Sequence, residues 1–86
     1  MWIILTYDIE EKRVQVIRKI CLPYLKWLQN SVFIGEITKA NLSILISKLK
    51  SKINEEKDSI QLFVLRDEKL ANRVTIGISK EFGNII

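Results

Sequence analysis

Runs of apolar and polar residues divide the chain into short elements. Residues 2–7, WIILTY, are continuously apolar or β-branched, which is typical of a buried strand that stops at Asp8. From about Glu10, apolar residues recur at helical spacing, which predicts a helix that ends at Pro23. The apolar stripe of this helix consists of Val14, Ile17 and Cys21, widened by Val16 and Ile20.

The middle of the chain predicts a pair of short strands and a second helix. LKWLQNSVF, residues 25–33, reads as a strand, Gly35 marks a bend or bulge, and GEIT continues as a short partner strand. Thr38 is a predicted N-cap for the next helix. The apolar stripe of that helix is Leu42, Leu45, Ile46, Leu49 and Ile53.

The last third predicts further strands and completes a fold. NEEKD is a charged turn, SIQLFVL is a strand, RDEKLANR is a polar connection, and VTIGIS reads as a fifth short strand. The order β-α-β-β-α-β predicts an α+β, ferredoxin-like domain over residues 1–86, with helices on one face of an antiparallel sheet. Because the strands are so apolar, we expect the uncovered face to pack against a second copy of the chain.

Composition narrows the class of protein. The chain has 86 residues, 48% of them apolar, which fits one small folded domain, and no apolar run approaches the ~20 residues of a membrane span. The opening MWIILTYD resembles neither a signal peptide nor an anchor. A single cysteine, Cys21, is compatible with a reducing cytoplasm and is expected in the core. The net charge of +4 favours a polyanionic partner.

The residue inventory limits the available chemistry to carboxylates and metals that prefer oxygen ligands. The chain has no histidine and no P-loop or dinucleotide-binding glycine pattern. Asp8 ends the first strand and has two interpretations. It could cap the first helix in a capping box with Glu11. It could equally bind Mg²⁺, with two-fold symmetry supplying a second Asp8 from a partner.

Other candidate residues surround Asp8, and each has a structural alternative. Arg13 and Arg18 on the first helix are either solvated or in contact with phosphates. Tyr7 and Phe33 are either core residues or groups that stack on bases. Ser31 either bonds to backbone within the strand pair or touches a phosphate oxygen.

Three segments together resemble the small CRISPR-associated Cas2 family. They are YDI at the end of the first strand, LQNSVFIGEIT in the central strand pair and VTIGIS near the C-terminus. The resemblance covers most of the chain, and the central QNSVFxGE-T pattern is its most specific part.

The resemblance implies a ferredoxin-like homodimer in which the C-terminal segment, about 73–86, crosses to the partner's sheet. It implies a nuclease that depends on Mg²⁺ (other divalent ions are possible) and cleaves single-stranded RNA or double-stranded DNA. The family's aspartate falls on Asp8, beside Tyr7, and its arginine falls on Arg13. The motif serine and phenylalanine fall on Ser31 and Phe33.

The sequence departs from the family pattern at two positions. A basic residue commonly precedes the motif glutamine by two positions, where this chain has Trp27, and this puts one nucleic-acid contact in doubt. Ile34 replaces an acidic residue that often precedes Gly35, and we expect this replacement to change only the surface of the strand pair.

Three functions follow as hypotheses. The first is a metal-dependent endonuclease with a site shared across a dimer. The second is a non-catalytic dimer that binds duplex DNA and bridges subunits of the CRISPR integrase during spacer acquisition. The third is a regulatory domain for a small ligand, although no ligand motif supports it.

Overall fold

The structure, a computed structural model, describes residues 1–67, 70 and 74–77. The elements of this part follow the predicted order β-α-β-β-α-β. They are β1 (Trp2–Asp8), α1 (Glu11–Cys21), β2 (Lys26–Gln29), β3 (Val32–Glu36), α2 (Lys39–Lys50) and β4 (Ser59–Leu65).

The strands form one antiparallel sheet with the order β2-β3-β1-β4. Each helix connects two strands that have a third strand between them, which is the topology of a ferredoxin-like α+β fold. The predicted fold class is therefore confirmed. β1 lies in the centre and pairs with β3 on one side and β4 on the other.

The core lies between the helices and one face of the sheet. Alternate residues of β1, namely Ile3, Leu5 and Tyr7, point into it, as a strand's two-residue period requires. The helices contribute Ile17, Cys21, Leu45 and Leu49. The predicted helical stripes are thus confirmed in their centres, but Val16 is 42% exposed and does not widen the stripe of α1. Burial raises the pKa of Cys21 to about 12, as fits an inert core thiol.

The two helix starts differ from each other. Thr38 caps α2 as predicted, because its Oγ1 accepts a hydrogen bond from the Asn41 N–H at 3.1 Å. The capping box at Asp8 was wrong. The N-cap of α1 is Glu10, without a side-chain cap bond, because β1 continues through Asp8 and pairs that residue with Ser59.

The strand pair in the middle of the chain turns earlier than its glycine predicted. The turn lies at Asn30 and Ser31, where Asn30 has a φ of 41°, a left-handed conformation that asparagine tolerates. Gly35 lies inside β3 instead of at a bend. A Cβ atom there would approach the Leu25 Cδ2 atom to 3.3 Å, so the glycine serves close packing of the chain before β2.

Most of the predicted C-terminal strand lies outside the described residues. Residues 74–77 carry no strand within this chain, and residues 78–86 lie outside the described part. Among the described helices, none has the length and apolar character needed to cross a membrane.

Candidate active site at the end of the first strand

Three connections of the chain meet at the end of β1. Asp8 is the last residue of the strand and lies opposite Ser59 at the start of β4. On the other side, the Tyr7 N–H donates to the Ser31 carbonyl in the β2–β3 turn at 3.1 Å. Helix α1 begins at Glu11, three residues after Asp8. The predicted residues Tyr7, Asp8, Arg13 and Ser31 therefore belong to one end of the sheet.

Asp8 lies on the sheet face opposite the helices. Tyr7 and Leu5 point into the core, so Thr6 and Asp8 point to the uncovered face. Asp8 is exposed, and among the described residues its carboxylate has no hydrogen bond or ion pair. This carboxylate is free to bind a ligand that approaches the open face.

Asp58 lies at the same end of the sheet, and both oxygens of its carboxylate accept hydrogen bonds from within the chain. Its side chain has no exposed surface, and its oxygens accept from the Glu10 N–H and the Asn54 N–H, each at 2.9 Å. The Arg13 guanidinium donates to both oxygens, with Nε at 2.5 Å from Oδ2 and Nη2 at 2.9 Å from Oδ1. Such a two-pronged pair is the strong form of an Arg–carboxylate contact.

This pairing shifts both groups toward their charged forms. The hydrogen bonds from Arg13 hold the pKa of Asp58 well below its ordinary value, against the opposing effect of burial. The same contact raises the pKa of Arg13 further above its usual value. Asp58 is therefore a structural carboxylate that is ionised near neutral pH, whereas a catalytic acid would need a proton there.

Arg13 was predicted as a phosphate contact, and the structure places it elsewhere. Besides Asp58, its Nη2 contacts the Glu10 Oε2 atom at 3.2 Å, and the side chain is only 17% exposed. The guanidinium is thus committed to contacts within the chain.

Tyr7 and Phe33 lie in the core beneath the site. Phe33 has no exposed surface, so it cannot stack on a base in this structure, and its ring lies 6.3 Å from that of Tyr7. Burial raises the pKa of Tyr7, and the nearby charge of Arg18 partly offsets that rise. The structure favours the core interpretation for both aromatic residues.

The β2–β3 turn is held by two aromatic side chains. The Asn30 carbonyl accepts from the Trp27 indole N–H at 2.9 Å and, more loosely, from the Tyr7 hydroxyl at 3.4 Å. Arg18 lies over the Trp27 ring, 4.6 Å from its centroid. A cation therefore lies beside Trp27, the position where the sequence departs from the family pattern. This network fixes Ser31 next to the end of β1.

The comparisons with known proteins agree with this geometry. The family profile described as "CRISPR associated protein Cas2" matches residues 1–73. The chain belongs to the CRISPR-associated Cas2 family. The match includes β1 with Asp8, the strand pair, both helices and β4.

Individual Cas2 relatives cover nearly the whole chain. The protein named CRISPR-associated endoribonuclease Cas2 of Thermotoga maritima is 40% identical over 80 residues, 93% of this chain and 92% of the relative. The corresponding protein of Dictyoglomus turgidum is 38% identical over the same shares. A solved structure titled "Crystal structure of cas2" superposes with a TM-score of 0.84 at 35% identity, covering 93% of this chain and 90% of that one.

Sequence reasoning missed Asp58 among the residues of this Cas2 site. It ends the charged run NEEKD, which predicts a solvated turn, and no local spacing links it to Arg13, 45 residues earlier. No group of three or more metal-binding side chains occurs within residues 1–67, 70 and 74–77. A depression of about 390 Å³ around Met1, Tyr24 and Glu36 lies at the other end of the sheet and does not include Asp8.

Proposed function

We propose that the protein is a homodimeric, metal-dependent endonuclease that cleaves RNA or DNA phosphodiesters at a site built from two copies of Asp8. The observation that carries the proposal is the position of Asp8, an exposed carboxylate at the end of the central strand on the uncovered sheet face. The names of the relatives, CRISPR-associated endoribonucleases, support the reaction class.

The open face supports pairing with a second copy. Ile4 lies between Ile34 and Phe63 in the register, and Phe63 is 51% exposed within one chain. A row of this kind favours burial against an equally apolar surface, which a two-fold symmetric partner supplies. Because Asp8 ends the same strand on the same face, such pairing would bring two Asp8 residues to one interface.

The ligands present fit a hydrated Mg²⁺ ion shared between two chains. Among the described residues, Asp8 is the exposed carboxylate that one chain places on the open face at the end of β1, and Mg²⁺ is commonly held by one or two carboxylates while it keeps several waters. When bound, such an ion lowers the pKa of a coordinated water and neutralises charge on a phosphoryl oxygen. Within this chain, Asp8 would hold the ion, because its exposed carboxylate has no partner among the described residues.

Charge on the helical layer supports a nucleic-acid substrate. Between residues 12 and 54 the chain carries nine lysines and arginines and one acid, Glu36. Arg13 is paired within the chain and Lys26 lies on β2. The other seven cations lie on the helices or just after α2, and they are Lys12, Arg18, Lys19, Lys39, Lys48, Lys50 and Lys52. Polyanions are attracted to such a surface from a distance, and Ser31 lies in the turn that bonds to Tyr7, one residue before Asp8.

Cleavage of labelled single-stranded RNA and double-stranded DNA, with Mg²⁺ and with EDTA, tests the proposal. Asp8→Asn removes the metal ligand without changing its size, and Glu36→Gln is the matched loss of an exposed acid at the opposite end of the sheet. We expect metal-dependent cleavage by the parent and by Glu36→Gln, and at least about a 100-fold loss in Asp8→Asn. Equal cleavage by Asp8→Asn and the parent would refute the shared site.

A second function, a non-catalytic bridge in spacer acquisition, is favoured by a different observation. The chain lacks histidine, and among the described residues Asp8 is the unpartnered acid on the open face at the end of β1, whereas most cations between residues 12 and 54 lie on or beside the two helices. In this role the dimer would bind duplex DNA and an integrase subunit. Duplex binding should then weaken steeply with salt, fall with Arg18→Glu and survive Asp8→Asn. Duplex binding that changes neither with salt concentration nor with Arg18→Glu would refute the bridging function.

A further inference from the structure

We propose that Arg13 and Asp58 are a positioning pair for Asp8, so that Arg13 acts on the reaction through Asp58 and the chain after Asp8 instead of through a phosphate. The inference rests on the proposed function for its catalytic consequence, whereas its structural part stands independently.

The first step is the connection that Asp58 makes between two distant segments. Its Oδ1 accepts from the Glu10 N–H, between β1 and α1, and its Oδ2 accepts from the Asn54 N–H, between α2 and β4. A carboxylate with no exposed surface therefore ties the segment after Asp8 to the loop that precedes β4. Both backbone donors would otherwise lack a partner on this side of the sheet end.

The second step is the role of Arg13 in keeping this carboxylate ionised. A buried carboxylate is costly without a cation, and Arg13 supplies a planar guanidinium to both of its oxygens. Lysine cannot reproduce this two-pronged contact. Since Nε and Nη2 are both used, the guanidinium edge that faces Asp58 is not available to a phosphate.

The third step links the pair to Asp8. The last residue pair between β1 and β4 is Asp8 opposite Ser59. Directly beyond it, the Glu10 N–H donates to the side chain of Asp58. Glu10 lies two residues after Asp8, and Asp58 lies one residue before Ser59. Strand ends open more readily than strand centres. A tie immediately beyond the last residue pair therefore limits the motion of Asp8 relative to the sheet.

The test compares Arg13→Lys and Asp58→Asn with Gln15→Ala, the loss of an exposed uncharged side chain on the same helix. The first readout is amide hydrogen exchange of residues 7–10, with Leu5 in the strand centre as an internal reference. It needs no turnover. The second readout is cleavage of single-stranded RNA, with kcat, KM and the Mg²⁺ concentration for half-maximal rate measured separately.

We expect exchange of residues 7–10 to rise about tenfold or more in Arg13→Lys and Asp58→Asn, with Leu5 unchanged. Cleavage should show a roughly 10- to 100-fold lower kcat and a higher Mg²⁺ requirement, with little change in KM, because a displaced ligand affects the reacting geometry. Gln15→Ala should resemble the parent in both readouts. If Asp58→Asn does not fold, Arg13→Lys, which preserves the charge, decides the question.

A phosphate contact by Arg13 predicts a different pattern. Arg13→Lys would then cleave like the parent, because lysine also binds phosphate, and Arg13→Gln would raise KM and lower the salt slope of binding by about one. That pattern, or unchanged exchange at residues 7–10 in the folded variants, would overturn the positioning pair. A parent protein without metal-dependent cleavage would refute the proposed function alone, and the exchange data would still decide the structural claim.

Discussion

Two aspartates lie at the same end of the sheet and differ in almost every physical respect. Asp8 ends β1 on the uncovered face, where its carboxylate is exposed and without a partner among the described residues. Asp58 precedes β4, has no exposed side-chain surface, and binds two backbone N–H groups and a guanidinium. The contrast separates a carboxylate that the fold leaves available to a ligand from one that binds the chain's own backbone and Arg13.

The largest expected effect on stability concerns the core beneath the two aspartates. Phe33→Ala removes a ring with no exposed surface and should lower the free energy of unfolding by about 3–5 kcal/mol. Urea denaturation followed by circular dichroism measures this loss. Below the unfolding midpoint, nucleic-acid affinity per folded molecule should stay unchanged. A folded variant with a specific loss of affinity would instead make Phe33 a direct contact.

The next largest effect is the pH dependence of stability, which distinguishes Asp58 from Asp8. The pKa of Asp58 in the folded protein lies below its ordinary value of 3.8. Its contribution to the free energy of unfolding is therefore fully present above a pH of about 4 to 5 and is lost as the pH falls further. Tm measured from pH 7 to pH 2 should therefore be higher for the parent than for Asp58→Asn near neutrality. The two curves should converge in acid.

The corresponding curves for Asp8→Asn provide the control for that prediction. Because Asp8 has no partner among the described residues, its removal should leave the acid dependence of Tm as in the parent. Convergence in acid for Asp8→Asn, with none for Asp58→Asn, would reverse the roles of the two residues.

The smallest expected effect separates a true helix cap from the one predicted at Asp8. Thr38→Ala removes the side-chain bond to the Asn41 N–H and should cost about 1 kcal/mol. Asp8→Ala removes no cap bond, since α1 has Glu10 at its N-cap, and should leave the denaturation midpoint unchanged. Equal losses in both variants would restore a capping role for Asp8.

The fold could be predicted from sequence because its strands and helices have local patterns of apolar residues. SIQLFVL predicted β4 with its observed limits, Ser59–Leu65, and the apolar spacing at Ile17, Cys21, Leu45 and Leu49 predicted the buried sides of the helices. The β2–β3 turn was misplaced because Gly35 is the more obvious turn signal. Its actual function, close packing on Leu25, depends on a tertiary contact.

The site could be predicted only in part, because some of its contacts also depend on tertiary structure. Asp8 stands out because a charge directly follows an apolar strand. Asp58 has no such signal, because its burial and its bond to Arg13 arise only when β4 pairs with β1. The role of Arg13 changes accordingly from an expected phosphate contact to an internal ion pair.

The most direct test of the two-aspartate contrast measures unfolding and Mg²⁺-dependent RNA cleavage on the same samples of parent, Asp8→Asn and Asp58→Asn. We predict that Asp8→Asn unfolds at the same denaturant concentration as the parent and has lost cleavage. Asp58→Asn should unfold earlier and, while folded, retain part of its cleavage. Loss of cleavage in Asp8→Asn that merely follows a loss of folded protein would contradict the assignment of Asp8 to chemistry and Asp58 to stability.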